Sequence, residues 1–314
     1  MANVALGVDI GGTRIKWVRW SPGSGVLDQG EQATPRSGSP AVVAAVAELI
    51  ARASVQLAGV ALPGHLSNDL TAVRLLPNLP GDRPGLPLAD ELAAQTGARI
   101  QLVNDARAFA LAELRLGAAK QFDDALFVTM GTGIGGALAL NGRILRARGD
   151  AVGELGHVIC HPGGLPCGCG AHGCLETVAG GQALVARVRA EGGRAETPHE
   201  VVQAAARGSG LERAVLEDAG QALGLVLGNV IAYSGVTSVV IGGGVAPAFV
   251  FMRPAVEAEL AARARLVGPV DLQYARLGPG AGALGAALLV AAQSHRDGDN
   301  RSDHELDLGR TADP

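Results

Sequence analysis

The sequence predicts an α/β fold, and three observations carry that prediction. Short apolar runs bounded by glycine alternate with stretches of helical spacing along the chain. A strand, glycine turn, strand device occurs at Gly11-Gly12-Thr13 and again at Gly131-Thr132-Gly133. The composition, 48% hydrophobic and 18% charged, is that of a globular protein rather than a disordered one. A length of 314 residues is enough for two domains or one large bilobal unit. Aromatic residues are only 3%, so the core must be Ala, Val and Leu, with 46 glycines allowing close backbone approach.

The elements follow in order. Residues 4–10 and 15–20 read as two strands joined at the first glycine turn. "PAVVAAVAELIARA" (40–53) has helical spacing with proline at its start. "LAGVALPG" is a buried strand running into a turn, and residues 63–87, rich in Pro, Gly, Asn and Asp, read as a long loop. "RIQLV" is a short strand, and Asn104-Asp105 cap a helix that continues to about Leu116. "DALFVTMGTGIGGALAL" repeats the opening device, which predicts a duplicated unit facing one cleft. Residues 153–180 are irregular and hold every cysteine. Helical patterns return at 181–192, 198–207 and 211–233. "SVVIGGGVA" reads as strand, glycine turn and helix start, "VDLQYARL" as a strand, and "GAGALGAALLVAAQ" as a small-residue helix. From Ser294 the chain is polar and turn-rich, and a disordered tail over 294–314 is expected.

Bulk properties exclude some classes. The formal charge is −4 with no dense basic stripe, which argues against nucleic acid or an anionic membrane as partner. No stretch reads as long and apolar enough to span a bilayer, and "GALGAALLVAA" falls well short of the roughly 20 residues needed. The N-terminus lacks a basic segment followed by an apolar run, with Asp9 where such a run would be, so a cytoplasmic location is expected. Four cysteines confined to Cys160–Cys174 then point to a metal before disulfides.

The chemistry follows from residue types. A phosphate needs backbone N–H donors and no side chain in the way. Gly11, Gly12 and Thr13 would supply this, and Gly131, Thr132 and Gly133 would do so from an opposite wall. Asp9 would hold a magnesium ion, directly or through water. The competing reading is a pair of tight strand turns with Asp9 as a turn residue. Gly242-Gly243-Gly244 would let an adenine or ribose ring lie against backbone, or would serve close strand-to-helix packing. Asp105, just past a buried strand at a helix N-terminus, would accept a hydroxyl proton in phosphoryl transfer, or would be a plain cap. Asn104 would bond a sugar hydroxyl or be the cap itself. His157, Cys167, Cys169 and Cys174 offer one nitrogen and three sulfurs, a closed tetrahedral set suited to structural zinc. Cys160 and His161 compete as ligands, with Cys160 otherwise a buried thiol, and His172 reads as a loop residue. Such a metal would fix Glu154 and Glu176 on its loop as hydroxyl acceptors.

Together these residues resemble the ROK family of bacterial sugar kinases and repressors. "DIGGT" resembles its first phosphate motif, "GTGIGG" its second, "LVNDARAFALAE" its catalytic segment, "GELGH…CGCGAHGCLE" its zinc signature and "VVIGGGVA" its nucleotide-side turn. The resemblance spans about residues 4–292. It implies the actin/hexokinase/Hsp70 fold, two RNase H-like lobes around a central nucleotide and sugar cleft. The corresponding division is 1–117 as the smaller lobe, joined by the helix at 280–293, and 118–279 as the larger lobe with the zinc loop 153–180. By the same resemblance Asp105 is the general base, and Asn78, Asn104, Glu154, His157 and Glu176 touch the sugar. His157 would use its second ring nitrogen on zinc. The resemblance implies ATP with Mg2+ as donor, a hexose as acceptor, and a homodimer.

The chain departs from the family at "LPGDRPGLPL" after Asn78 and at Val178 and Gly180, all on the sugar side. The ten-position step from His157 to Cys167 is similar to glucokinase-type members, which makes glucose the expected hexose, with N-acetylglucosamine, N-acetylmannosamine, mannose or fructose as alternatives. A non-catalytic sugar-sensing regulator is the other reading. ROK repressors carry a DNA-binding domain ahead of "DIGGT", and eight residues precede Asp9 here, so a repressor is not expected.

Overall fold

The computed structural model describes residues 4–75, 85–146 and 149–296. Three antiparallel strands open the chain: β1 (Ala5–Ile10), β2 (Arg14–Ser21) and β3 (Gly25–Ala33). Helix α1 (Ser39–Ala53) starts with Pro40 in its first turn and buries Val42, Val43, Val46, Leu49 and Ile50, the stripe that a 3.6-residue period places on one face. β4 (Leu57–Leu62) then lies parallel to β1. The segment expected as loop holds a small hairpin, β5 (His65–Leu66) and β6 (Val73–Leu75). After α2 (Leu88–Thr96), β7 (Arg99–Asn104) pairs parallel with β4 and leads directly into α3 (Asp105–Leu116). The sheet order is β3-β2-β1-β4-β7.

The second half repeats the plan. β8 (Ala125–Met130), β9 (Ile134–Leu140) and β10 (Arg143–Ile144) come first. The irregular segment follows, then α4 (Glu176–Ala179), α5 (Gly181–Ala190), α6 (Pro198–Ala206) and α7 (Gly210–Ser234). β11 (Ser238–Gly242), α8 (Phe249–Ala262), α9 (Ala264–Val267), β12 (Asp271–Tyr274) and α10 (Ala281–Arg296) complete it. The order β10-β9-β8-β11-β12 matches the first sheet position by position, with β11 parallel to both β8 and β12. The chain divides into two compact units: Met1–Asp123 with Ala139–Val152 and Arg276–Pro314, and Asp124–Leu138 with Gly153–Ala275.

Helix α10 is the core helix of the first unit. It packs on β1, β4 and α3, and small residues let it do so. A methyl group at Gly7, Gly59 or Gly285 would overlap the backbone of Ala283, Ala286 or Ala108 respectively. This explains the Ala/Gly-rich sequence of α10 without any membrane. In the second unit, α7 packs along α8, with Gly220 against the Met252 backbone and Gly224 against Val256 and Glu259. By length and composition α7 is long and apolar enough to cross a bilayer, which corrects the sequence expectation that no stretch is. Its apolar window is 61% buried inside the fold, as a core helix would be.

Beyond the short elements, a strand and a helix escape the sequence reading. β3 is an edge strand whose side chains are mostly exposed, including Val26 and Leu27, so it lacks the alternation that marks a half-buried strand. α2 is short and follows a proline-rich run, and only Leu88, Ala89 and Leu92 are buried on it.

Candidate functional site

In the first unit, β1 delivers Asp9 to the glycine turn. The turn is tied down by Gly11 N–H to Arg14 O (3.0 Å), by Thr34 N–H to Thr13 O (3.0 Å) and by the Thr34 hydroxyl to Gly11 O (2.6 Å). Thr34 is buried, so this turn is held in one shape from behind. Asp9 is partly buried and pairs across the hairpin with Lys16. Its carboxylate lies over the start of α10, where only Gly282 leaves room for it. Burial first, and then the negative charge of Asp105, push the Asp9 carboxyl from 3.8 up to about 7, with Lys16 opposing. Two carboxylates from separate elements are thus near enough to repel one another, an arrangement that a divalent cation relieves.

Asp105 opens α3 at the end of β7. The cap is Asn104: its Oδ1 accepts from Ala106 N (2.9 Å), Arg107 N (3.4 Å) and Arg107 Nη1 (2.7 Å), and its Nδ2 donates to Gly64 O (3.1 Å). Of the two roles open to it in the sequence, capping is the one these contacts describe, and the residue is 4% exposed. The Asn104 N–H donates to Asp150 Oδ2 (2.8 Å), and Asp150 in turn accepts from Arg146 at 2.6 and 3.0 Å. Asp150 is buried and sits at φ 67, a left-handed conformation uncommon for a residue other than glycine. Sequence reasoning missed this pair. Asn78 lies outside the described residues.

In the second unit the turn Gly131-Thr132-Gly133 is closed by Gly131 N–H to Gly133 O (3.0 Å). Gly131 O and Thr132 O accept from Gly181 N (3.0 Å) and Gln182 N (3.1 Å) at the start of α5. Glu176 Oε2 accepts from Ile134 N at 3.1 Å. The third turn packs beside the second. Gly243 at φ 95 lies against the Met130 backbone, where a side chain would overlap it, and Val245 N donates to Met130 O (2.8 Å). Gly243 therefore packs on the end of strand β8, rather than strand to helix as the sequence reading offered, while Gly244 has open space on its Cβ side.

The ligand atoms of His157, Cys167, Cys169 and Cys174 all lie within 4.8 Å of one another. His157 Nδ1 is 3.4 Å from Cys167 Sγ, and Cys169 Sγ is 3.6 Å from Cys174 Sγ. Tetrahedral zinc with bonds of about 2.0–2.3 Å needs ligand separations of about 3.5–3.8 Å, so the donor set and its spacing fit that ion. The loop wraps tightly because Gly170 and Gly173 take positive φ (93 and 75) and the backbone closes on itself, as in Cys167 N–H to Ala171 O (2.8 Å) and Gly173 N–H to Leu165 O (2.8 Å). Burial and the neighbouring thiols push Cys174 up to about 12, whereas the Ala171 backbone N–H draws Cys169 down. Three crowded thiols cannot all ionise without a cation among them. Cys160, His161 and His172 are outside the cluster. Cys160 is buried and donates to Gly173 O (3.5 Å). His157 closes the short turn Leu155–His157 that follows Glu154, and Glu176 stands two positions beyond Cys174, so both carboxylates flank the cluster in sequence.

The comparisons with known proteins agree with one another. A family model described as ROK family matches residues 5–293. A glucokinase from Thermotoga maritima is 38% identical over 184 residues, 57% of this chain, and the chain spans a little over half of that protein, 58%. An N-acetylmannosamine kinase from Escherichia fergusonii is 30% identical over 92% of this chain and 98% of its own length. The crystal structure of a ROK family glucokinase from Streptomyces griseus in complex with glucose and AMPPNP superposes with a TM-score of 0.78 at 28% identity, covering 91% of this chain and 99% of that one. The α/β fold is that of the ROK hexokinase structures, of the actin/hexokinase/Hsp70 type.

Proposed function

We propose, for a chain that belongs to the ROK family, that it is an ATP-dependent hexose kinase acting on the 6-hydroxyl of glucose. The observation that carries the reading is Asp105, the first residue of a helix with a buried cap, whose charge acts on Asp9 beside a braced glycine turn. Phosphoryl transfer needs positioned phosphate, charge neutralisation and a carboxylate to take the hydroxyl proton. In this reading Asp105 accepts that proton as the hexose oxygen bonds to the γ-phosphorus. The bond from γ-phosphorus to the bridging oxygen breaks, and ADP leaves. Within the turns Gly11-Thr13 and Gly131-Gly133, the backbone N–H groups other than those of Gly11 and Gly131, which close the turns, hold phosphate oxygens, and Gly242-Gly244 takes the nucleoside. Asp9 would hold Mg2+, which neutralises phosphate charge when bound. Glu154, His157 and Glu176 accept or donate to sugar hydroxyls, with zinc on His157, Cys167, Cys169 and Cys174 as a structural brace. A homodimer in the cytoplasm completes the proposal.

The similarity to an N-acetylmannosamine kinase over nearly the whole chain favours an N-acetylhexosamine as the second reading. A coupled assay with ATP and, separately, glucose, mannose, fructose, N-acetylglucosamine and N-acetylmannosamine separates the two. The first reading expects the highest kcat/KM with glucose. A higher value with N-acetylmannosamine replaces the acceptor, and ADP release with none of them removes the kinase assignment.

A further inference from the structure

The metal loop and the second glycine turn belong to one unit and are joined more closely than a sugar-binding role for the loop requires. Four contacts make the joint. Glu176, two residues beyond Cys174, accepts the Ile134 N–H at the exit of the turn. Its carboxylate occupies the space that a side chain on Gly133 would need. Gly181 N and Gln182 N donate to Gly131 O and Thr132 O. Between the cluster and this joint stands Leu175, fully buried, whose N–H donates to Val158 O (2.9 Å) one residue past His157. Both ends of the metal loop are therefore clamped together next to the residue that holds the turn.

From this geometry we infer that Glu176 is a positioning residue for the glycine turn Gly131-Gly133, and that metal on the His157–Cys174 cluster sets nucleotide affinity through it. The chain of causes is short. The ion fixes Cys174; Cys174 and buried Leu175 fix the start of α4; Glu176 then presents an anionic acceptor to the Ile134 N–H. A charge-assisted bond to a backbone amide is stronger than a neutral one, so its loss frees the end of the turn. The amides of a loosened turn must be ordered by the ligand itself, and affinity falls. The inference rests on the proposal that this turn holds nucleotide phosphate.

The test measures binding rather than turnover. A non-hydrolysable ATP analogue is titrated by calorimetry, without hexose, into the zinc-loaded full chain, into the chelator-treated chain, and into the Glu176→Ala and Glu176→Gln variants. Hydrogen exchange is followed in parallel on the peptide spanning 129–134. Expected are a roughly tenfold weaker Kd in both the chelated chain and Glu176→Ala, faster exchange at 131–134 in both, and recovery to within about threefold of wild type in Glu176→Gln, whose amide oxygen can still accept. Affinity and exchange that stay at wild-type values in the Ala variant and the chelated chain overturn the inference, as does a Gln variant as weak as Ala. Should Glu176→Ala fail to fold, the chelated chain and the Gln variant decide. A wild-type chain that binds no nucleotide removes the kinase proposal instead, and the exchange rates alone then decide the coupling.

Discussion

The two glycine turns occupy the same place in two sheets of the same strand order, and they differ in what stands behind them. The first ends β1 and the second ends β8, so Asp9 of the first unit corresponds to Thr129 of the second. Behind the first turn is a pair of carboxylates, Asp9 and Asp105, and its shape is held by a buried threonine hydroxyl. Behind the second is no such pair among these contacts. It is held by the carboxylate of Glu176 and the start of α5, both of which follow the cysteine loop. One backbone device, used twice, has a pair of carboxylates behind it in one unit and, in the other, a back held by residues that follow the cysteine loop. Similar backbone does not imply similar chemistry, and the side chains one layer away decide which role each turn takes.

This contrast is open to breakage from either side. The largest effect belongs to the carboxylate pair. Asp105→Asn should fold and bind hexose normally yet lose about 10³-fold in kcat, the scale of a general base; steady-state kinetics giving near-normal kcat would detach Asp105 from the reaction. Next comes the brace. Cys169→Ser should leave the protein without its metal, as read by elemental analysis, and lower activity about 100-fold; one zinc per chain in that variant would contradict the ligand set. Within the second turn itself, Gly133→Ala should cost about 1–3 kcal/mol, because the new methyl meets Glu176. Gly131→Ala, with open space at its Cβ position, should cost under about 0.5 kcal/mol when both variants are titrated with urea. Equal losses would mean that Glu176 does not crowd the turn.

A separate effect is one of pH. The Asp9 carboxyl is raised from 3.8 to about 7, so between those values the folded chain keeps a proton that the unfolded chain has released. Stability in magnesium-free buffer should therefore decline as pH rises through that window, and Asp9→Asn should flatten the decline. Urea midpoints at several pH values check it, and an unchanged slope in the variant would place the titration elsewhere.

Much of this was legible in the letters. The glycine turns announce themselves because their glycines cluster between apolar runs, with Gly133 and Gly243 crowded by Glu176 and the Met130 backbone, and the metal ligands because they crowd into one short loop whose intervening glycines permit the wrap. The capping role of Asn104 was legible as one of two options, and its contacts show the cap. What stayed hidden is long-range. The clamp of Asp150 on Asn104 joins positions 46 apart, and Glu176 reaches Ile134 across 42. No local pattern marks such pairs, since each depends on how separate strands and loops come together. β3 stayed hidden for another reason: an exposed edge strand needs no apolar face, and so leaves no periodicity to read.

The central claim is that Asp105 takes the proton of the acceptor hydroxyl. A crystal structure of this chain with its hexose bound tests it most directly. The expected result is an Asp105 carboxylate oxygen within hydrogen-bond reach of the hydroxyl that is phosphorylated. A carboxylate turned away from every hydroxyl of the bound sugar would contradict it.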